Sequence, residues 1–388
     1  MKRLLDYDEM NEILDGLDKD IIRKCKPIGF SNFGYPLDHY EYGHGDNHVI
    51  ITSGTHASEI ISNVFVVRFM EKLSKKEIYI DDNVFTLHFI PFVNPEGSII
   101  VSSAIRSLIG KDMSEDVVQT YLLTYYRNCF IEGEYANKYN DKDIKLQQWM
   151  FRYSSPSDLD GELGESVASI ISKYNLPRGC MINWSSNGRG VDLNSNIEFG
   201  SFVSRVKSGE DIYGKLHLNT IKRNVPGPIG CPYFDTPFEI EPENKALLNF
   251  YDEINDKYNL IGSFIYHSCG NIVYYLSDAL ETNPWKGDFG KKDIEKNFLV
   301  ASMYAETCGY KLFGMDKYTT MDSKIKTLFP VSLLIELGSV RAHPLSQFMD
   351  LDIDGSDEGF KNIYSKIIED NTRALIKTIP YLLEVSDD

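Results

Sequence analysis

His56 and Glu59 are of the residue types that hold a zinc ion, and they stand three residues apart in the motif Gly-Thr-His-Ala-Ser-Glu. This spacing at the start of a helix can turn both side chains toward one point. An imidazole nitrogen and a carboxylate oxygen are both common zinc ligands. Because His-x-x-Glu occurs often by chance, the motif taken alone also fits a capping histidine beside a surface glutamate.

His267 is the candidate for a third ligand. It follows the apolar run 264–266 and precedes a turn that contains a glycine. Active sites in α/β sheets form at such strand ends. Two local ligands and one distant ligand, with a fourth position left for water, form the usual catalytic zinc site. A histidine satisfied by other bonds at a strand end is the alternative.

Glu336 interrupts the apolar run 333–337. A carboxylate within such a strand is costly to bury unless it has a partner or a chemical task. Near a zinc ion it could act first as a general base and then as a general acid. The alternative is a glutamate that forms a salt bridge at the end of a strand.

The pattern around these residues predicts an α/β domain with a buried sheet. Short apolar runs rich in β-branched residues predict strands at 47–52, 83–92, 261–266 and 331–337. Helical spacing of apolar residues predicts helices at 7–17, 57–75, 164–174, 243–258 and 360–384. Pro380 is expected to end or kink the last helix. Residues 107–178 are charged and rich in tyrosine, so we predict a mostly helical insertion within one domain spanning 1–388.

Composition and charge narrow the class of protein. The chain has 388 residues, of which 42% are apolar, and this is typical of a globular protein with a full core. Its formal net charge of −17 argues against nucleic-acid or anionic-membrane partners, because both need clustered Lys and Arg. We find no signal-peptide pattern near the N-terminus and no long apolar stretch, so a cytoplasmic location is expected.

Two further motifs complete an ordered set that resembles the M14 zinc carboxypeptidase (metallocarboxypeptidase) family. They are Asn-Pro-Glu-Gly at 94–97 and Gly-Val-Asp-Leu-Asn at 190–194. In the family, similar motifs lie between a His-x-x-Glu pair and a later His and Glu. The resemblance runs from about Tyr7 to Phe348. It implies a mixed, roughly eight-stranded twisted sheet with helices on both faces.

Within the family, the chain is most similar to the bacterial γ-D-glutamyl-diamino acid peptidases, which cut peptidoglycan stem peptides. The supporting segments are 184–194, Pro-Gly-Pro at 226–228, His-Ser-x-Gly at 267–270 and Glu-Leu-Gly at 336–338. The implied substrate is a peptide or muropeptide that carries D-Glu and a diamino acid.

The family resemblance also implies a role for individual residues. His56, Glu59 and His267 would bind one zinc ion. Glu336 would activate the zinc-bound water and later protonate the leaving amine. Asn194 matches a family residue that helps to hold the terminal carboxylate of the substrate.

Two serines depart from the family's pattern. Ser195 replaces an arginine, and Ser185 stands where the family usually has a basic residue that stabilises the oxyanion. Because arginine is the natural clamp for a carboxylate, these changes weaken the case for simple C-terminal exopeptidase activity. By sequence, Arg189 and Arg341 are the nearest replacements, and a structural role for each is equally open. Tyr318 is a candidate for the family's mobile tyrosine, as is Tyr310.

Two other functions stay open. A zinc deacylase acting on an N-acyl amino acid uses a similar set of ligands and a late Glu, although the motifs at 94–97 and 190–194 favour a peptidase. A catalytically inactive, metal-containing binding protein is the other alternative, which the two serines keep open. The presence of Glu336 argues against it, because a binding protein does not need a general base.

The remaining histidines are assigned no chemistry. His39, His44 and His48 lie among turn residues and are expected at the surface. His88 lies within a predicted strand, and we expect a structural role for it.

Overall fold

A computed structural model describes residues 5–110, 158–174, 176, 181, 184–197, 225–228, 230, 239–276, 291–315, 321, 325, 331–338 and 363–385. Most of the predicted insertion at 107–178 lies outside these residues.

The described part of the chain contains seven α-helices. They are α1 (Tyr7–Asp15), α2 (Ile60–Ser74), α3 (Pro95–Gly110), α4 (Gly161–Tyr174), α5 (Pro242–Lys257), α6 (Lys291–Cys308) and α7 (Ile363–Glu384).

The same residues contain ten strands. They are β1 (Ile22–Lys24), β2 (Gly29–Phe30), β3 (Pro36–Leu37), β4 (Tyr40–Gly43), β5 (Asn47–Ser53), β6 (Phe85–Ile90), β7 (Asn259–Ser268), β8 (Ile272–Leu276), β9 (Lys311–Met315) and β10 (Ser332–Leu337).

Eight of these strands form one mixed sheet in the order β1-β4-β6-β5-β7-β10-β8-β9. The four central strands, β6, β5, β7 and β10, run parallel to one another. The pairs β1–β4, β4–β6 and β10–β8 are antiparallel, and β8–β9 is parallel. The predicted mixed, eight-stranded sheet is therefore confirmed.

Helices cover both faces of the sheet, and alternation along the strands explains why. In β5, Val49 and Ile51 belong to a core that includes residues of α1, α2, α6 and α7, whereas Ile50 between them packs with α5 on the other face. Successive side chains of a strand point to opposite faces, so a strand covered on both sides is apolar throughout. This is why the central strands appear in the sequence as continuous apolar runs.

One predicted helix boundary is corrected, and the expected effect of Pro380 is limited. Helix α2 begins at Ile60 rather than near Ala57, and Glu59 caps it with a non-helical backbone (φ −91°, ψ 54°). The Ala57 amide is used elsewhere, since it donates to the Ser185 carbonyl at 3.3 Å. Pro380 does not end α7, which continues to Glu384. Proline removes only one backbone bond, and the buried Leu382 holds the last turn against the core.

The expected surface positions of His39 and His48 are wrong. Both side chains are buried, at 6% and 7% exposure, and each contacts the equally buried His88. Phe250 of α5 packs edge-on against His39 at 4.8 Å between ring centroids. This helix lies about 200 residues further along the chain, so turn composition could not reveal that it covers the histidines. His44 is exposed, as expected.

Within the part of the chain that the structure describes, no helix is both long and apolar enough to cross a membrane.

Candidate metal centre and active site

The candidate site lies at one edge of the sheet, where three parallel strands end. Strand β5 leads into the loop that carries His56 and Glu59, β7 carries His267, and β10 carries Glu336. Since β5, β7 and β10 are direct neighbours, their carboxyl ends meet at the same edge. The topology therefore brings together residues that are 208 positions apart in the chain.

Glu59 lies between the two histidine rings. Its Oε1 is 2.8 Å from His56 Nδ1, and its Oε2 is 2.8 Å from His267 Nδ1. The Ser268 amide donates to the same Oε2 at 3.0 Å and so orients the carboxylate. The two rings meet nearly edge to face, with centroids 5.0 Å apart.

The charges of this group depend on one another. Burial lowers the pKa of His56, but the carboxylates of Glu59 and Asp192 outweigh it and hold that pKa well above the usual value. Burial raises the pKa of Glu59, yet the two imidazoles outweigh it and lower this pKa to about 2. Glu59 is thus an ionised carboxylate whose charge favours a cation between the rings.

Asp192 positions His56 from the opposite side of the ring. Its Oδ1 lies 3.2 Å from His56 Nε2 and also accepts the Asn194 amide at 3.0 Å. Its Oδ2 accepts the Ser195 hydroxyl at 2.7 Å. When a metal displaces the Nδ1 proton of His56, the proton that this carboxylate holds at Nε2 stays in place, and Nδ1 is the nitrogen that binds. Asp192 was not among the predicted site residues, although its place in the Gly-Val-Asp-Leu-Asn motif indicates that it lies near the site.

The donor set fits a zinc ion. One atom each of His56, Glu59 and His267 lies within 4.8 Å of the other two. Two imidazole nitrogens and one carboxylate oxygen are a common protein donor set for catalytic zinc, which keeps a fourth position open.

Glu336 lies directly beside His267. The two residues are register partners in the parallel pair β10–β7, so both side chains leave the same face of the sheet. Glu336 is the one partly exposed residue of β10, while the other five are buried. Glu336 is therefore a partly exposed carboxylate residue in an otherwise buried strand, next to the candidate ligand His267.

Ser185 and Ser195 use their hydroxyls within the protein. Ser185 Oγ lies 2.7 Å from Ser58 Oγ, in the loop between the candidate ligands His56 and Glu59, and Ser195 bonds to Asp192. Ser185 thus lies beside the candidate metal site. Neither serine brings a positive charge.

The other predicted site residues have different positions. Arg189 contacts a buried glutamate, with its Nη1 3.4 Å from Glu241 Oε1, and its side chain is 47% exposed. Asn194 is buried on a short 3₁₀ turn at Leu193–Ser195. Tyr318 and Arg341 lie outside the described residues. Tyr310 bonds to Asn371 and the Gly338 amide, which gives it a structural role.

Comparison with known proteins supports the same family. The sequence model of the zinc carboxypeptidase family matches residues 12–332 of this chain. Comparison with curated protein sequences finds no similar protein.

Two solved structures share the fold at low sequence identity. Bovine thrombin-activatable fibrinolysis inhibitor is 16% identical, with a TM-score of 0.52 over 97% of this chain and 95% of that one. The carboxypeptidase A from Helicoverpa armigera is 12% identical, with a TM-score of 0.52 over 98% of this chain and 73% of that one.

Proposed function

We propose that this protein hydrolyses an amide bond in a peptide. It belongs to the zinc carboxypeptidase family, since the model of that family matches residues 12–332. It is a metallocarboxypeptidase-like peptidase.

One observation carries the assignment of the general base. Glu336 is paired in register with His267, while His267 Nδ1 and His56 Nδ1 both lie 2.8 Å from Glu59. A carboxylate therefore stands next to a complete set of three zinc donors. This is where a group that handles the protons of the reaction is needed.

His56, Glu59 and His267 would hold the zinc ion. When bound, zinc supplies a polarised scissile carbonyl and a water molecule of lowered pKa. Glu336 removes a proton from the attacking water and later delivers it to the leaving amine. Asp192 holds His56 in the orientation that presents Nδ1.

We propose a peptidoglycan stem peptide as the substrate, cut between γ-D-Glu and the diamino acid. The similarity of the sequence motifs to peptidases of that specificity supports this choice. In this proposal Asn194, Arg341 and Tyr318 contact the substrate, and Arg189 stabilises the oxyanion. The salt bridge of Arg189 with Glu241 would have to loosen for this role, which its partly exposed side chain allows.

The test is mass spectrometry of stem tri- and tetrapeptides after incubation with the zinc-loaded protein. A cut after D-Glu that a chelator abolishes and that Glu336→Gln also abolishes is the expected result. Hydrolysis that survives in Glu336→Gln would overturn the assigned base. No cleavage by a protein with confirmed zinc would overturn the proposed substrate.

A zinc deacylase that acts on an N-acyl amino acid is the second candidate, because the three candidate zinc donors and the neighbouring Glu336 would serve it equally well. N-acyl amino acids belong in the same assay. Release of the acyl group without peptide cleavage would select this function.

A further inference from the structure

Four side chains of types that can bind metal ions meet at another place, beside the strand β4 near the edge of the sheet. Cys25 directly follows β1, His39 directly precedes β4, Glu41 lies in β4, and His88 lies in β6. We call these four residues the edge cluster. They share no member with the candidate active site.

The distances among His39, Glu41 and His88 suit a single ion. His39 Nε2 lies 3.0 Å from His88 Nδ1, and Glu41 Oε1 lies 3.7 Å from the first and 3.5 Å from the second. Two donors bound to a tetrahedral zinc ion at about 2.0–2.1 Å lie about 3.4 Å apart. The three atoms therefore form a triangle that zinc could occupy after shifts of a few tenths of an ångström.

Cys25 offers the fourth donor. One donor atom each of Cys25, His39 and Glu41 lies within 4.8 Å of the other two, and this group does not include His88. The Cys25 amide donates to the His39 carbonyl at 2.8 Å, which ties the two segments together. The cysteine is a free, partly exposed thiol, so a side-chain rotation can bring its sulfur closer.

The surroundings resemble the outer shell of a metal site. His88 Nε2 lies 2.8 Å from His48 Nδ1, and the His48 ring stacks on Tyr258 with centroids 4.2 Å apart. A metal-binding histidine usually donates its second N–H to a hydrogen-bond acceptor, and His48 Nδ1 is within reach of His88 Nε2 for this role. Phe250 closes the other side, with its ring centroid 4.8 Å from His39 and 5.8 Å from His88.

We propose that the edge cluster is a second, structural zinc site, in addition to the catalytic one. One thiolate, two imidazoles and one carboxylate match the preference of zinc for sulfur and nitrogen. Four protein ligands leave no open position for water, so the site would hold β1, β4 and β6 together rather than perform chemistry. The zinc content of the protein is then two ions per chain.

Arg23 marks the position of a positive charge in the absence of metal. Its guanidinium donates to Glu41, and its side chain is 70% exposed. A bound zinc ion would neutralise the charge of Glu41 in place of Arg23, and the exposed arginine side chain would turn toward solvent. Binding also needs two proton changes. Cys25 releases its thiol proton to solvent, and the proton between His39 Nε2 and His88 Nδ1 leaves both atoms, so that His39 is protonated at Nδ1 and His88 at Nε2.

The first test counts zinc ions in the full-length protein by mass spectrometry of the metal after exhaustive dialysis. We expect two per chain in the wild type, and one each in His267→Ala and in Cys25→Ser. His88→Gln, which retains a polar side chain, should also hold one. Because Cys25→Ser leaves the catalytic residues intact, its peptide hydrolysis should match that of the wild type.

Cobalt substitution tests the proposed thiolate ligand directly. In a His267→Ala background, the Co²⁺-loaded protein should show a sulfur-to-cobalt charge-transfer band, and Cys25→Ser should remove it. Cys308→Ser is the matched control, since Cys308 is another partly exposed free thiol, and this variant should keep the band.

One zinc ion per wild-type chain and no thiolate band would overturn the second site. A band that persists in Cys25→Ser would overturn the ligand assignment. Neither result depends on hydrolysis, so a failed substrate assay leaves this proposal unaffected.

Discussion

In two regions of this protein histidines lie beside a glutamate, and the pKa values of these histidines shift in opposite directions. At the candidate active site, the pKa of His56 is held well above its usual value, because Glu59 and Asp192 outweigh the effect of burial. In the edge cluster, burial lowers the pKa of His39 to about 4 and that of His88 to about 2.

The distance and pairing of the carboxylate explain the difference. Glu59 lies 2.8 Å from each histidine, whereas Glu41 lies 3.5–3.7 Å from His88 and His39 and is also bonded to Arg23. A carboxylate already paired with arginine does less to stabilise a second cation. The same residue types thus form an ionised pair at one place and a neutral chain of imidazoles at the other.

Glu336→Gln should give the largest effect and should separate the two regions functionally. Losing the general base is expected to lower kcat/KM on the stem peptide by about 10²–10⁴-fold. Zinc content at both sites should stay unchanged, because Glu336 is not a ligand. The control is Glu306→Gln, an exposed glutamate of α6, which should retain full activity. Loss of zinc in Glu336→Gln would contradict the assigned role.

Acidification of the metal-free protein should reveal the opposite pKa shifts. The lowered pKa values of His39 and His88 add stability that is present above about pH 6.5 and lost as the pH falls. When the pH falls from 7.5 to 5, protonation of each of these two histidines in the unfolded chain should lower the free energy of unfolding by about 2 kcal/mol. Urea unfolding at both pH values measures this loss.

Protonation of His56 should change the free energy of unfolding in the opposite direction. Its raised pKa adds stability that is fully present below about pH 6.5 and is lost as the pH rises through the folded-state value. His88→Gln should therefore flatten the acid loss, and His56→Gln should steepen it. Equal pH dependence in the two variants would show that the regions do not differ in charge.

Asp192→Asn should weaken metal binding at the active site alone. Because Asp192 holds the His56 ring, losing its charge should lower zinc affinity by about 10–100-fold. Competition with a chromogenic chelator measures this change for each ion separately. Asp20→Asn, at an exposed turn residue, is the control and should leave both affinities unchanged. An equal loss at the edge cluster would indicate general unfolding instead.

Ser195→Ala should have the smallest effect. The Ser195 hydroxyl makes one bond to Asp192 Oδ2, and a hydrogen bond of this kind is worth about 0.5–1.5 kcal/mol. We therefore expect zinc affinity at the active site to fall between twofold and tenfold, as measured by the same chelator competition. A substitution that abolished binding would show that Ser195 contributes more than one bond.

The residues that meet at the candidate active site could largely be predicted from the sequence, and the edge cluster could not. His56, Glu59, His267 and Glu336 stand in motifs next to apolar runs, which mark strand ends, and the structure places them together. Asp192 was present in a motif but had no assigned role, because its contact with His56 joins two distant loops. His39 and His48 lie among turn residues, a composition that indicates exposure.

The sequence by itself determined the strands β5, β7 and β10 and the order of the chemistry-bearing residues along them, because burial on both faces requires continuous apolar runs. Only the tertiary structure decided which strands are neighbours, and hence that Glu336 lies beside His267. It also decided that α5 covers His39 and His88, which removes them from water and keeps them neutral. Burial of a side chain depends on contacts with residues far along the chain, and local composition does not specify those contacts.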